Sequence, residues 1–377
     1  MLFLLTLFAV GSTASAAHAY PWMIRHGFAQ CGSCHVDPMG GETLTGMGRV
    51  MGEALLAMPW AEDPPSDASK FLFGVTEPEN LHLGGSLRVM SLTSFDSAKF
   101  RTFPMQADLT GAGTAGAFTL AGSIGVSKAS NRYEHSSKAR VFGDVEGEDY
   151  IMVARNYWLG YRFGRGWMVR AGRLNLPFGI RTSEHTMWVR SETLTDRESD
   201  QDHGISALYA AGRWRGELML SLGNFQRPND ALRERGYSGY LEYLFAEDFA
   251  LGVSSLVLRS EHELNVDDGP VLRQAHGLTA RYVFSEPLVL LAEADVLAKT
   301  RTSLGYVAMA TLDVELLQGL HLAGTGELLD RGTSEGSEAG LGRGKPDPGA
   351  WLTVDWFFAP HFELRTDLVL RQQRGQT

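Results

Sequence analysis

The sequence predicts an all-β protein: a transmembrane, outer-membrane-type β-barrel of about 14–16 antiparallel strands over residues 81–377, preceded by a small helical or irregular segment. Three observations predict it. Apolar residues alternate with mixed polar ones at period two from about residue 83 onward, the links between these runs are short on one side and long on the other, and the composition suits strands and turns. Glycine supplies 43 of the 377 residues, against an average of about 7%, while aromatics reach 10% and proline only 14 residues. Charged residues are 21% of the chain, which argues against a disordered polyampholyte, and no later stretch approaches the roughly 20 apolar residues of a spanning helix. The net charge of -10 gives no electrostatic reason to expect nucleic acid.

The N-terminus comes first in the chain. Met1 to Val10 is almost wholly apolar and leads to Ala17-His18-Ala19, an A-x-A-like site before Tyr20, so residues 1–19 read as a secretory signal peptide. No Lys or Arg precedes the hydrophobic region, which predicts a true start further upstream.

Both cysteines sit in Cys31-Gly32-Ser33-Cys34-His35, the C-x-x-C-H spacing of covalent c-type haem attachment. Two thiols three positions apart reach both haem vinyl groups, and the next residue projects its imidazole to the iron. Cys31, Cys34 and His35 are therefore expected to hold one haem c (heme c) in an exported segment over residues 20–62. The alternatives are a local disulfide, half a zinc site and a thioredoxin-like pair. Zinc needs about four ligands and no second Cys pair exists, while the redox motif belongs in a βαβ setting. For the sixth ligand His26 is expected, because Arg25-His26-Gly27 lies in a polar, glycine-containing stretch with no obvious core for an imidazole; Met39, Met47 and Met51 are alternatives, with Met23 and Met58 nearby. Leu44, Met47, Met51, Leu55 and Met58 share one helical face, which suits packing over a porphyrin better than ligation. So short a segment needs a staple, and haem would be one. Asp63-Pro64-Pro65-Ser66-Asp67 opens a linker over residues 63–80.

The barrel strands follow. Leu278, Ala280, Tyr282 and Phe284 alternate with Gly277, Thr279, Arg281 and Val283; Leu352, Val354, Trp356 and Phe358 with Thr353, Asp355 and Phe357; Leu290, Ala292, Ala294 and Val296 with Glu293 and Asp295; and Phe362, Leu364, Leu368 and Leu370 with Glu363, Arg365 and Asp367. Short links occur at Gly164-Arg165-Gly166, Gly212-Arg213, Glu247-Asp248, Gln318-Gly319 and Ala359-Pro360, and long polar ones around 127–149, 177–203, 224–236, 260–272 and 331–348. That asymmetry is the outer-membrane barrel pattern, with an apolar exterior and a polar lumen. About fifteen strands are expected, the first near Ser86 and the last near Phe362. An odd number, with a loop-like tail from Arg371 to Thr377, predicts a chain lacking a final strand. Arg213, Arg215, Arg281 and Arg365 are expected in the lumen with Glu293, Asp295, Asp313 and Glu363. The loop after Pro177, which carries Arg181, His185, Arg190, Glu192, Asp196, Arg197, Glu198, Asp200 and Asp202, reads equally as an inward constriction or a solvated external loop. Gly340 to Pro346 only superficially follows a phosphate loop, since Ala339 and Pro346 break the pattern.

Gly172-Arg173-Leu174-Asn175-Leu176-Pro177-Phe178-Gly179 resembles the G-R-x-x-x-P-F-G segment of phosphate-selective-type outer-membrane porins. The haem motif followed by a barrel resembles the porin-cytochrome proteins of the bacterial outer membrane. That resemblance implies electron transfer or a redox-equipped pore rather than catalysis, a lipid bilayer around the barrel, and a periplasmic or cell-surface cytochrome as partner. It places the haem segment on the periplasmic side or in the barrel mouth. Those systems often carry several haems on a separate chain, whereas this chain offers one motif. The other reading is a passive porin for small solutes or ions, with the N-terminal segment as plug or tether.

Overall fold

Alternation at period two lets each strand present lipid-compatible side chains on one face while its backbone is satisfied by its neighbours, and only a barrel does this in a bilayer without exposed polar edges. The computed structural model describes residues 20–59, 78–94, 99–128, 140–142 and 150–372, apart from 183, 185, 198, 227–229, 263–268 and 333–345. The expected signal peptide, most of the linker and of the tail, His185, Glu198 and nearly all of the 340–346 loop lie outside the described residues.

The described strands are β1 (Leu81–Ser94), β2 (Lys99–Ala115), β3 (Phe118–Lys128), β4 (Arg140–Phe142), β5 (Tyr150–Val153), β6 (Tyr157–Phe163), β7 (Trp167–Asn175), β8 (Gln201–Ala211) and β9 (Trp214–Gly223). They continue with β10 (Arg235–Ala246), β11 (Phe249–Ser260), β12 (Val271–Ser285), β13 (Leu288–Lys299), β14 (Gly305–Leu317), β15 (Leu320–Asp330), β16 (Asp347–Ala359) and β17 (Phe362–Arg371). Because β5 and β6 both pair with β3, they form one interrupted stave, and the three-residue β4 merely flanks β5. About fifteen staves result, in the order the alternation predicts, joined by antiparallel ladders from each to the next. Among the described residues no ladder joins β17 to β1, which run in the same direction.

The break between β5 and β6 has a local cause. The Ser123 hydroxyl accepts from the backbone N–H groups of Arg155 and Asn156 at 3.2 and 3.1 Å, drawing them out of the ladder. Arg155 then reaches inward to Asp108, 2.6 Å away.

Outward faces are apolar, as expected. Leu278 is 65% exposed while Thr279 and Arg281 are buried on the other side of β12. At the short-turn end, outward aromatics form a girdle of neighbouring rings, including Tyr161, Phe163, Trp167 and Tyr209, then Trp214, Tyr243, Phe245, Phe249, Tyr282 and Phe284, with centroids 4.5–6.3 Å apart. Such belts sit at the membrane–water interface. Arg213 departs from its expected place: it lies exposed in the turn after β8, where strand parity no longer applies, and its guanidinium donates to the Phe245 carbonyl.

The lumen differs from a simple polar channel. Val289, Leu291, Val307, Met309 and Leu329 face inward and are buried in one apolar cluster with Tyr20, Trp22 and Ile24 of the N-terminal segment and Ile180, Trp188 and Val189 of the loop after β7. That loop therefore folds inward, carrying the short helix Trp188–Ser191. The Pro177-Phe178-Gly179 run is its hinge: Phe178 is fully buried, and Gly179 takes a left-handed φ of 61 where an added Cβ would strike Glu293 and Arg190. Beyond the hinge the Ile180 N–H donates to Glu293 at 2.7 Å, and Arg190 pairs with the same carboxylate.

Residues 20–58 dock into the lumen from the short-turn end. Met58 N–H donates to the Phe357 carbonyl at 2.8 Å, and the Gln318 amide donates to the carbonyls of Ala54 and Ala57. Arg25 pairs with Asp313. Deeper in, the fully buried Arg170 of β7 lies 2.8 Å from Asp37 and 2.6 Å from Glu217 of β9.

Two outcomes follow from this arrangement. Leu278→Arg, at the middle of β12 on the lipid face, costs about 2–4 kcal/mol of barrel stability, measured by denaturant titration of protein refolded into lipid vesicles. Arg170→Met strips Asp37 and Glu217 of the guanidinium that bonds to both, a loss of about 3–5 kcal/mol; limited proteolysis of the reconstituted protein then cleaves within residues 20–58 while the strands stay protected.

Candidate functional site

The N-terminal segment is built from short turns that gather its chemically active groups. Pro21 opens a 3-10 turn over Pro21–His26, which Gly27 ends in a left-handed conformation. A second turn over Cys31–Ser33 lets the N–H groups of Cys34 and His35 both donate to the Cys31 carbonyl, at 3.1 and 2.9 Å. Both thiols and the imidazole thereby crowd one turn of backbone.

Helix α1 (Gly46–Met51) packs directly on that turn. The Thr45 hydroxyl caps it by accepting from the Gly48 N–H at 3.1 Å, an interaction of about 0.5–2 kcal/mol. Gly48 is required there, because a Cβ would stand 2.0 Å from the Cys34 carbonyl oxygen. The helix continues as a π turn over Gly52–Leu56, closed by the Ala57 N–H on the Gly52 carbonyl at 2.8 Å. The wider turn shifts the phase beyond it, so that Leu56 and not Leu55 joins Gly48 and Met51 on the face towards the motif, with Leu44 just before the helix beside them. Of the expected covering face, Leu44 and Met51 take part, whereas Met47 is exposed and Leu55 and Met58 lie elsewhere.

These elements enclose an open cavity of about 150 Å³. One wall comes from the segment, with Cys31, Cys34, His35, Phe28 and Leu44; the other from the barrel, with Arg281, Phe357, Pro360, His361 and Phe362. The cavity thus brings Cys31, Cys34 and His35 together.

His35 is buried, with Nδ1 3.0 Å from the Gly41 carbonyl. A proton donated there leaves the Nε2 lone pair for a metal. Burial, with the Arg197 charge adding to it, pushes the imidazole down to about 4, so it stays neutral. Burial also raises the Cys34 thiol, and both cysteines are free and half-buried. The Cys31 sulfur accepts from Arg215 at 3.4 Å, and Arg215 is held by Glu242 at 2.7 Å. Arg281 shares Glu242 and donates to the Ala29 carbonyl at 3.1 Å, fixing the approach to the motif.

His26, Met39, Met47 and Met58 are placed apart from the cavity. His26 does not line the cavity, and its Nε2 is 3.5 Å from Glu315. Met39 is buried outside it, and the Met58 sulfur accepts from the Trp356 indole at 2.8 Å. Met23 and Met51 do line it. Sequence reasoning missed the barrel wall. Strand parity points Phe357 and Arg281 inward, but no local signal ties the Pro360-His361 turn to a motif so distant in the chain.

A second cavity, of about 40 Å³ and lined by polar residues, lies between Gly40, Gly41 and Glu42 and the wall that carries Gln106, Asp108 and Arg155, with Arg197 beside it.

No family model matches the chain, and no curated protein matches it. Among solved structures it is similar to OmpT, an outer membrane protein of Vibrio cholerae, in its trimer form, with 14% identity and a TM-score of 0.55 over 77% of this chain and 88% of that one. It is similar also to Salmonella typhi OmpF in complex with daunomycin, at 12% identity and a TM-score of 0.53 over 78% and 92% of the two chains. The anion-selective porin from Comamonas acidovorans gives 12% and 0.53 over 77% and 87%. At such identities the likeness is one of fold, and that fold is the transmembrane β-barrel of outer-membrane porins.

Proposed function

We propose that this protein is an outer-membrane barrel carrying one covalently bound haem c at its periplasmic mouth, and that it exchanges electrons with a partner cytochrome. The observation that carries this reading is the cavity that collects Cys31, Cys34 and His35 against an apolar barrel wall. The groups present suit a flat apolar macrocycle with a central metal and anionic substituents. Cys31 and Cys34 would hold it through thioethers, each formed as a thiol adds across a vinyl group, with the vinyl π bond breaking and the thiol hydrogen passing to carbon. His35 offers Nε2 to the iron while Gly41 holds its other nitrogen. Arg49 and Arg281, both on the cavity wall, stand as counter-charges for the propionates, and Phe28, Leu44 and Phe357 exclude water. When bound, the haem supplies reversible one-electron storage.

The cavity lies at the turn joining β16 to β17, on the short-turn end, which faces the periplasm in bacterial barrels. The hydrocarbon layer is about 30 Å thick, more than one haem spans, so a periplasmic or cell-surface cytochrome or another carrier completes the route. The inward loop and the docked segment narrow the lumen, which favours electrons over solutes.

The polar cavity beside Arg155, Arg197 and Asp108 favours a second reading, a diffusion porin with residues 20–58 as a plug. Visible absorption of protein purified from outer membranes tests the haem: a haem band that survives denaturing extraction is expected, and its loss is expected in Cys34→Ala. Reconstitution with an enclosed electron acceptor separates the readings. Electron delivery falls to background in His35→Ala while solute permeability is unchanged; solute passage without electron delivery in the unaltered protein would favour the plugged porin.

A further inference from the structure

The barrel supplies an imidazole of its own to the cavity. His361 lies in the two-residue turn joining β16 to β17, behind the buried Pro360, and lines the cavity with Phe357 and Phe362. Its φ of 71 is left-handed, as the two-residue hairpin requires and as Gly319 shows at the same place in the preceding hairpin, so an imidazole stands where the neighbouring turn carries glycine.

His35 would supply one imidazole to a haem iron, and a second ligand would have to come from another residue lining the cavity. Met51 belongs to the helical stretch that packs on the His35 turn, where Gly48 abuts the Cys34 carbonyl. Met23 is packed into the lumenal apolar cluster. His26 is engaged with Glu315 outside the cavity. Among the described residues lining the cavity, His361 is the one imidazole besides His35, and it comes from the barrel hairpin. We propose that His361 is the distal iron ligand, giving a bis-histidine centre in which one imidazole comes from the N-terminal segment and the other from the barrel. This inference rests on the haem reading above. A His/His centre has a lower potential than a His/Met one, and it fastens the segment to the wall through the metal.

The test uses the full chain, purified from a host that matures c-type cytochromes, with absorption and electron paramagnetic resonance spectra of the ferric form and carbon monoxide titration of the ferrous form. The unaltered protein should be low-spin, lack the thioether-to-iron charge-transfer band and leave carbon monoxide unbound. His361→Ala should become high-spin, bind carbon monoxide stoichiometrically and return to low-spin on addition of imidazole. His361→Met, which keeps side-chain bulk in the turn, should show the thioether band and a raised potential. Heat-modified mobility on gels verifies that each variant barrel is folded. A thioether band in the unaltered protein overturns the proposal, as does an unchanged spectrum in both His361 variants, with Met51→Leu, Met23→Leu or His26→Ala then identifying the ligand. Absence of covalent haem from the unaltered protein would instead sink the parent reading.

Discussion

A charge enclosed by a membrane barrel and cut off from water persists only beside an opposite charge. The interior of this barrel is organised by that constraint. Arg170 of β7 is matched by Asp37 and Glu217, Arg190 of the inward loop by Glu293, Arg281 of β12 by Glu242, and Arg25 by Asp313. Each pair joins two elements, wall to wall, loop to wall or segment to wall. Together they set the depth of the N-terminal segment in the lumen, and that depth decides which barrel residues stand opposite Cys31, Cys34 and His35.

Much of the architecture could be read directly from the residues, for a physical reason. Lipid tolerates only apolar side chains on the outer face, so the alternation around Leu278-Thr279-Ala280-Arg281 is enforced by the solvent itself. What an inward residue meets is decided by segments far away in sequence, and period-two patterning is silent about that. The inward Val289, Leu291, Val307 and Met309 were nevertheless a visible sign that this lumen is lined partly with apolar groups, which need a protein cover.

The motif at residues 31–35 was legible because its chemistry is local. Its surroundings were not. A regular 3.6-residue period groups Leu44, Met47, Met51, Leu55 and Met58, but the regular helix covers only Gly46–Met51 and widens over Gly52–Leu56, so Leu44 and Met58 lie outside it, Met47 faces solvent and Met58 meets Trp356. Proximity in sequence likewise singles out His26, while the three-dimensional neighbour is His361. The porin-type fold explains neither feature, since both belong to the way this chain fills its own barrel.

The cavity joins the beginning of the described chain to its last hairpin. Met58 and Trp356, bonded across its margin, are 298 positions apart, and contacts of such separation are slow to form. The wall that closes the site is therefore completed after most of the sheet has been laid down. A bulky group fastened to Cys31 and Cys34 beforehand is wrapped by the assembling barrel, not threaded into a finished one. On the haem reading proposed above, chemical maturation in the periplasm would come first and membrane insertion second.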